Sequence, residues 1–209
     1  MKDSAKSLLI VFGDKTASEI IAVAKVHCAT EFAEIRQVFY TDQTFESSDF
    51  NDMVADFDTV CYILGVVDPG LRAKIQAQSE SAGFRPYSVI HPTAEIDGSA
   101  TVGEGCYIAQ FAVVSVNAIV GDHSIVHLHA SIGHDAVLGA HCAILPGARI
   151  CGEVTMGAGV LVGTNSAVHQ QVNIGDLVQI DAMTYVFCDV PDKHLVSTRL
   201  KKPVRRLDV

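Results

Sequence analysis

Residues 119–156 read IVGDHSIVHLHASIGHDAVLGAHCAILPGARICGEVTM, with an aliphatic side chain at every sixth position. The register extends from Ile90 to Val186, and all 17 of its positions hold Ile, Val, Leu or Met. Four residues after each of these comes a small or β-branched residue, from Ala94 to Val190. A period of six fits neither an α-helix nor a lone strand, whose side chains repeat every 3.6 and 2 residues. It indicates a short strand and a turn, repeated without an inserted loop.

Three such hexads form an 18-residue coil of a parallel β-helix, with the aliphatic register pointing inward. Residues 18 apart then stack at the inter-strand spacing of about 4.8 Å. We expect glycines directly after the aliphatic residues to lie at corners that need a permissive backbone. These glycines are Gly103, Gly121, Gly133, Gly139, Gly157, Gly163 and Gly175.

Residues 1–88 show a different pattern, which predicts a small Rossmann-like βαβ domain of the α/β class. The β-helix then occupies residues 89–191, and a basic tail occupies residues 192–209. Predicted strands in the first domain are Leu8–Phe12, Gln37–Tyr40 and Thr59–Leu64. Predicted helices are Ala17–Val26, capped by Thr16 with Glu19 as its capping-box partner, and Pro69–Ala82, stopped by Gly83.

The turn after the first strand, Gly13-Asp14-Lys15-Thr16, lacks both the G-x-G-x-x-G fingerprint and the upstream glycine of a P-loop. The residues alone therefore leave an ordinary βα turn and a phosphate site both open.

Composition excludes several classes of function. A net charge of −9 argues against nucleic acid and anionic membranes as partners. No run of about 18 apolar residues is present, so we expect no membrane insertion. The first residues lack the features of a signal peptide, which predicts a cytoplasmic protein. The six cysteines form no C-x-x-C pair, which favours reduced thiols over disulfides or zinc.

Several short motifs accompany the repeat. They are Leu64-Gly65 with Arg72 downstream, His91-Pro92-Thr93-Ala94, Gly133-His134-Asp135, Gly152, Gly163-Thr164-Asn165-Ser166 and Asp189-Val190-Pro191. With them, nearly the whole chain resembles a bacterial sugar acetyltransferase family. It contains sialic acid O-acetyltransferases and N-acetyltransferases of UDP-linked 4-amino sugars.

The resemblance implies a left-handed β-helix, a homotrimer and an active site between subunits that uses acetyl-CoA as co-substrate and needs no metal. The acceptor would be an amino or hydroxyl group of a sugar, often nucleotide-linked. His134 matches the family's catalytic histidine and Asp135 the neighbouring carboxylate. A positioned histidine suits proton removal from an attacking amine or hydroxyl.

The resemblance also suggests binding residues. Gly152, Thr164 and Ala182 are expected at the acetyl-CoA site, and Gly13, Gly65 and Arg72 at the sugar-substrate site. Because acetyl-CoA is anionic and this chain is acidic, we expect local positive charge near the cofactor. The tail residues Lys201 and Lys202 are candidates to pair with its phosphates.

Several positions depart from the family's pattern. The glycine-rich turn after the first strand is reduced to Gly13, and a family histidine nine residues after the catalytic one is Ala143. His127 stands in place of an asparagine. The family's Gly-Ala-Gly in the last coil is Asp181-Ala182-Met183, and its Gly-x-Pro-Ala is Thr198-Arg199-Leu200-Lys201. These changes keep open a second hypothesis, a non-catalytic scaffold or regulatory protein.

Five of the nine histidines fall between residues 123 and 141. His123 and His141, 18 apart, should stack on adjacent coils. His129 and His134 have the five-residue spacing of the closing pair in γ-type carbonic anhydrases, which share the fold and bind zinc at a trimer interface. Zinc catalysis needs three protein ligands and a water. No third histidine stands near Thr93 except His91, so this third reading is the weakest.

Overall fold

A computed structural model describes residues 6–40, 54–200 and 204–205 of the chain. The chain divides into two compact units, Met1–Val89 and Ile90–Val209, each with its own core. No helix among the described residues has the length and apolar character needed to cross a membrane.

The first unit contains a four-stranded parallel sheet with two helices. In chain order its elements are β1 (Ser7–Gly13), α1 (Lys15–His27), β2 (Glu34–Val38), β3 (Thr59–Gly65), α2 (Pro69–Ser81) and β4 (Arg85–Pro86). The strand order is β2-β1-β3-β4, with the longest strand contacts between β1 and β3. The residues of β1 from Leu8 to Phe12 are fully buried, as a continuous apolar run in a parallel strand requires.

The helix ends differ in part from the sequence prediction. Thr16 is not the cap of α1, because the N-cap residue is Asp14 and no side chain caps the helix. Instead Gln37 of β2 donates from Nε2 to the carbonyls of Gly13 and Asp14, both at 3.0 Å. That contact joins two elements distant in sequence, so a local motif gives no sign of it. β2 also begins earlier than predicted, at Glu34.

The start and stop of α2 are as predicted. Pro69 occupies the first turn, and Asp68 caps the helix by accepting from the Leu71 amide at 2.7 Å. Gly83 follows the helix with φ of +79°, the left-handed conformation of a helix stop.

The second unit is a parallel β-helix of three sheets with strands two or three residues long. Sheet I contains Val89–Ile90, Tyr107–Ile108, Ile125–Val126, Ala143–Ile144, Leu161–Val162, Gln179–Ile180, His194–Val196 and Val204–Arg205. Sheet II contains Glu95–Ile96, Val113–Val114, Ser131–Ile132, Arg149–Ile150, Ala167–Val168 and Tyr185–Val186. Sheet III contains Thr101–Val102, Ile119–Val120, Val137–Leu138, Thr155–Met156 and Asn173–Ile174.

Strand register confirms the 18-residue coil. Ile119 pairs with Val137, and Ser131 pairs with Arg149, each across 18 residues. Both predicted registers point inward: Val126, Ile144 and Cys142 are fully buried in one continuous core. Only the first coil is more open, with Ile90 42 % exposed, because a solenoid end has no coil beyond it.

The predicted role of the corner glycines is wrong. A left-handed backbone recurs at every sixth position from Gly105 to Met183, three residues after each aliphatic residue. Most of these positions carry side chains, among them Asn117, His123 and Asp135. The seven glycines named from sequence are absent from the left-handed set.

Close approach between coils explains those glycines instead. A Cβ atom on Gly121 would lie 2.5 Å from the carbonyl carbon of Gly139, and one on Gly139 would lie 2.7 Å from the Ala158 nitrogen. Carbon atoms pack at about 3.5–4.0 Å, so a side chain there would push successive coils apart.

We predict that Gly121→Ala destabilises the protein by about 1–3 kcal/mol, the range for an overpacked site. Thermal or denaturant unfolding measures the effect. Gly98→Ala is the matched control, because a Cβ on Gly98 meets no atom within 4 Å. Equal stability of the two variants would contradict the close-approach explanation.

Candidate active site

His134 and Asp135 lie at the corner where each coil passes from sheet II to sheet III. His134 Nδ1 is 2.8 Å from Asp135 Oδ2, and the two side chains are 59 % and 49 % exposed. The predicted pair therefore forms a direct hydrogen bond, with the imidazole open to solvent. Asp135 adopts a left-handed backbone, φ +56°, which turns its carboxylate back toward the ring of the preceding residue.

A second side chain holds the carboxylate. Asn117, one coil earlier, donates from Nδ2 to Asp135 Oδ1 at 3.0 Å. The hydrogen bond from Asn117, followed by that from His134, lowers the pKa of Asp135 below its ordinary value. Asp135 is therefore a carboxylate at neutral pH and accepts a proton from Nδ1. That arrangement leaves Nε2 of His134 as the unprotonated, proton-accepting nitrogen.

Gly152 stands beside His134 on the next coil. A Cβ atom at Gly152 would lie 2.4 Å from His134 Nε2, so the ring occupies the space that a side chain would take. The amide of Glu153 donates to the His134 carbonyl at 2.8 Å and fixes the coil beneath the ring. Gly152, predicted as a cofactor contact, thus lies against the reactive nitrogen.

The other predicted cofactor residues lie on a different corner. Thr164 and Ala182 occupy adjacent coils where the chain passes from sheet I to sheet II, and the Thr164 carbonyl accepts from the Met183 amide at 2.9 Å. Thr164 is half-buried and Ala182 exposed. Lys201 and Lys202 lie outside the described residues, so their role stays a prediction.

In the first unit, the structure brings Gly13 and Gly65 together at the carboxyl ends of β1 and β3. A Cβ atom on Gly13, whose φ is +124°, would lie 2.3 Å from the Gly65 carbonyl oxygen. The two glycines border a cavity of about 570 Å³. Its lining also includes Lys15 and two aromatic residues that the sequence reasoning missed, Phe39 and Tyr40.

Arg72, the third predicted substrate residue, is fully buried. Its Nη1 donates to the Val66 carbonyl at 2.7 Å, beneath the loop that forms one wall of this cavity. The structure thus places Arg72 behind the wall, where it supports the loop conformation.

The histidine cluster separates into pairs. His123 and His141 stack as predicted, with ring centroids 5.3 Å apart and planes 12° from parallel. His129 stacks on Phe111 at 5.1 Å, away from His134. Within the described ranges, no group of three or more His, Cys, Asp or Glu side chains is arranged to hold a metal ion.

No protein-family model matches the chain, and no curated protein sequence matches it. Solved structures do match over nearly its full length. A variant of perosamine N-acetyltransferase from Caulobacter crescentus, in complex with CoA and GDP-perosamine, is 23 % identical with a TM-score of 0.84, covering 97 % of this chain and 99 % of that one.

Two further structures show the same likeness. The acetyltransferase domain of PglB from Neisseria gonorrhoeae, in complex with acetyl coenzyme A, is 25 % identical with a TM-score of 0.81, covering 96 % of this chain and 100 % of that one. WeeI from Acinetobacter baumannii is 18 % identical with a TM-score of 0.83, covering 95 % and 100 %. These neighbours confirm the resemblance to sugar acetyltransferases and the hexapeptide-repeat acyltransferase fold.

We predict that Gly152→Ala displaces the His134 ring from Asp135, because the new methyl group would occupy the position of Nε2. Histidine ring resonances followed by NMR measure the change, with His134→Ala identifying the signal. Gly98→Ala, at an open position, serves as the control. A His134 signal that is the same in both variants and the parent would show that the ring does not need this glycine.

Proposed function

We propose that this chain is an acetyltransferase that moves the acetyl group of acetyl-CoA to an amino or hydroxyl group of a nucleotide-linked sugar. The observation that carries the proposal is the hydrogen bond between His134 Nδ1 and Asp135 Oδ2, which directs the Nε2 lone pair outward over Gly152. The catalytic pairs of the family carry the same residue types at the same place in the repeat.

The chemistry needs one proton acceptor. As the acceptor nitrogen or oxygen bonds to the thioester carbonyl carbon, His134 Nε2 takes its proton. The C–S bond then breaks, and the CoA sulfur leaves and takes a proton back from the imidazolium. The Asp135 carboxylate stabilises that transient positive charge and keeps the ring in one orientation.

The cavity at Gly13 and Gly65 supports a nucleotide-linked substrate. We infer that the first unit is Rossmann-like, since ligands of open parallel sheets bind at the carboxyl ends of the strands. Lys15 offers a positive charge for phosphates, and Phe39 and Tyr40 offer aromatic faces for a base. A volume of about 570 Å³ suits a small-molecule ligand.

A homotrimer would complete the site. In one copy, His134 lies on the corner between sheets II and III, whereas Thr164 and Ala182 lie on the corner between sheets I and II. A ring of identical subunits brings unlike corners together through heterologous contacts. Acetyl-CoA held by one subunit's Thr164 corner would then reach the His134 of its neighbour.

Exposed apolar residues surround His134, which supports a subunit contact there. Val116 on the same corner is 46 % exposed, and Ile119 and Val137 on sheet III are 42 % and 39 % exposed. Apolar residues contiguous with a catalytic pair are typical of an interface rather than of free surface.

We predict that light scattering or sedimentation gives three times the chain mass of 22.3 kDa at micromolar concentration. Replacing Val137 by Glu should dissociate the trimer, because a carboxylate would be buried without a partner. Lys25→Glu, which introduces the same residue on α1 of the first unit, is the control. A monomeric parent would refute the trimer.

We predict that His134→Ala lowers acetyl transfer by about 10²-fold or more, as expected for loss of a general base, and that Asp135→Asn costs less. Release of free thiol measures transfer in a panel of nucleotide-linked amino sugars with acetyl-CoA. Both variants should keep the parent's oligomeric state and unfolding midpoint. Undiminished turnover by His134→Ala would refute the catalytic assignment.

The same panel separates the enzyme from a non-catalytic scaffold, which the departures at Ala143, Asp181 and Met183 keep as the second hypothesis. A scaffold would show neither turnover nor saturable binding of acetyl-CoA. Binding without turnover would point to an acceptor outside the panel. A cytoplasmic location, where acetyl-CoA is available, stays a prediction.

A further inference from the structure

We infer that Asn117 is a positioning residue for the proposed reaction, acting on His134 through the carboxylate of Asp135. It does not touch the imidazole. It holds Asp135 Oδ1, so that the other oxygen, Oδ2, is the one presented to His134 Nδ1. This inference rests on the proposed function, and it names a residue that none of the sequence motifs includes.

A chain of hydrogen bonds anchors Asn117 itself. Its backbone amide donates to Ser99 Oγ at 2.9 Å, and Ser99 Oγ donates to Asp97 Oδ1 at 2.6 Å. Asp97, Ser99, Asn117 and Asp135 thus form one polar column along the corner, spanning three successive coils. Each coil repeats at the same corner, so Asn117 and Asp135 are held in register by the backbone of the β-helix.

Residue type and backbone agree at this position. Asn117 has φ of +55°, a conformation that Asn tolerates better than most residues, and its side chain is short enough to meet the next coil. Its amide nitrogen is a pure donor, so it complements an ionised carboxylate. The resulting contact is a reason that Asp135 stays charged, consistent with its lowered pKa.

Neighbouring charges make this hold necessary. Glu153 follows Asp135 in the same column, and both are carboxylates. Gln171 donates to Glu153 Oε2 at 3.0 Å from the side opposite Asp135. Asn117 and Gln171 therefore draw the two carboxylates in opposite directions along the column, which reduces their mutual repulsion and leaves His134 facing Asp135.

The test removes the Asn117 side chain without straining the backbone. Asn117→Gly keeps a left-handed residue at no steric cost. Asn165→Gly is the matched control, since Asn165 has φ of +54° at another corner and makes no contact with His134. Asn117→Asp, which keeps the shape but exchanges the donor for a negative charge, is the third variant.

The primary readout is NMR of the ¹⁵N-labelled histidine rings, which needs no substrate. In the parent, we expect His134 to be protonated at Nδ1 and to titrate with Asp135, Glu153 and Cys151 as its ionisable neighbours. In Asn117→Gly, the freed carboxylate should let the Nε2-protonated tautomer grow, and the His134 titration midpoint should move to lower pH. In Asn117→Asp, added negative charge should move the midpoint to higher pH.

The kinetic readout follows once an acceptor is known. Asn117→Gly should lower kcat by about 10-fold with KM nearly unchanged, the size of effect seen when an outer hydrogen-bond partner is lost. Shifts of opposite sign in the two Asn117 variants, with Asn165→Gly like the parent, support the inference. It is overturned if the His134 tautomer and midpoint in Asn117→Gly match those of Asn165→Gly. Because the NMR result is independent of turnover, failure of the proposed function would be recognised separately.

Discussion

The spacing between successive coils, fixed by backbone hydrogen bonds such as that from Ile125 to Cys142, governs everything else in the second unit. Those bonds require that residue i lie beside residue i+18 throughout. An insertion of one residue would break the alignment of both inward registers at once. The same constraint sets the contacts around the candidate site. Asn117 meets Asp135, and Gly152 meets the ring of His134, because each pair is one coil apart.

This constraint explains why the sequence was informative about the β-helix. An inward position must be aliphatic in every coil, so the same information is written 17 times from Ile90 to Val186. The His134–Asp135 pair could also be predicted, because adjacent residues at a corner need no tertiary knowledge to be placed together. Asn117 was missed, although an amide 18 residues before a carboxylate is a signal that the coil length makes readable.

Other errors have physical causes of the same kind. Glycine was taken as the residue of the left-handed corners, yet His123 and Asp135 hold that conformation because inter-coil hydrogen bonds stabilise it in every coil. The cap of α1 was sought in Thr16, whereas Gln37 of a distant strand satisfies the carbonyls of that turn. Arg72 was assigned by motif to the substrate, but its guanidinium lies on the Val66 carbonyl. Tertiary contacts decide all three cases, and a sequence window does not contain them.

The way in which sheet I ends has a consequence for assembly. After Gln179–Ile180 the sheet continues with the parallel strand His194–Val196, and then with Val204–Arg205, which runs antiparallel to it. Open edges of parallel coils present unpaired amides and carbonyls to any other copy that offers the same geometry. A reversed strand changes the hydrogen-bond pattern at that edge and brings a cationic side chain, Arg205, with it. Copies that met end to end could not continue the ladder there, so growth into filaments is discouraged while sideways association is left open.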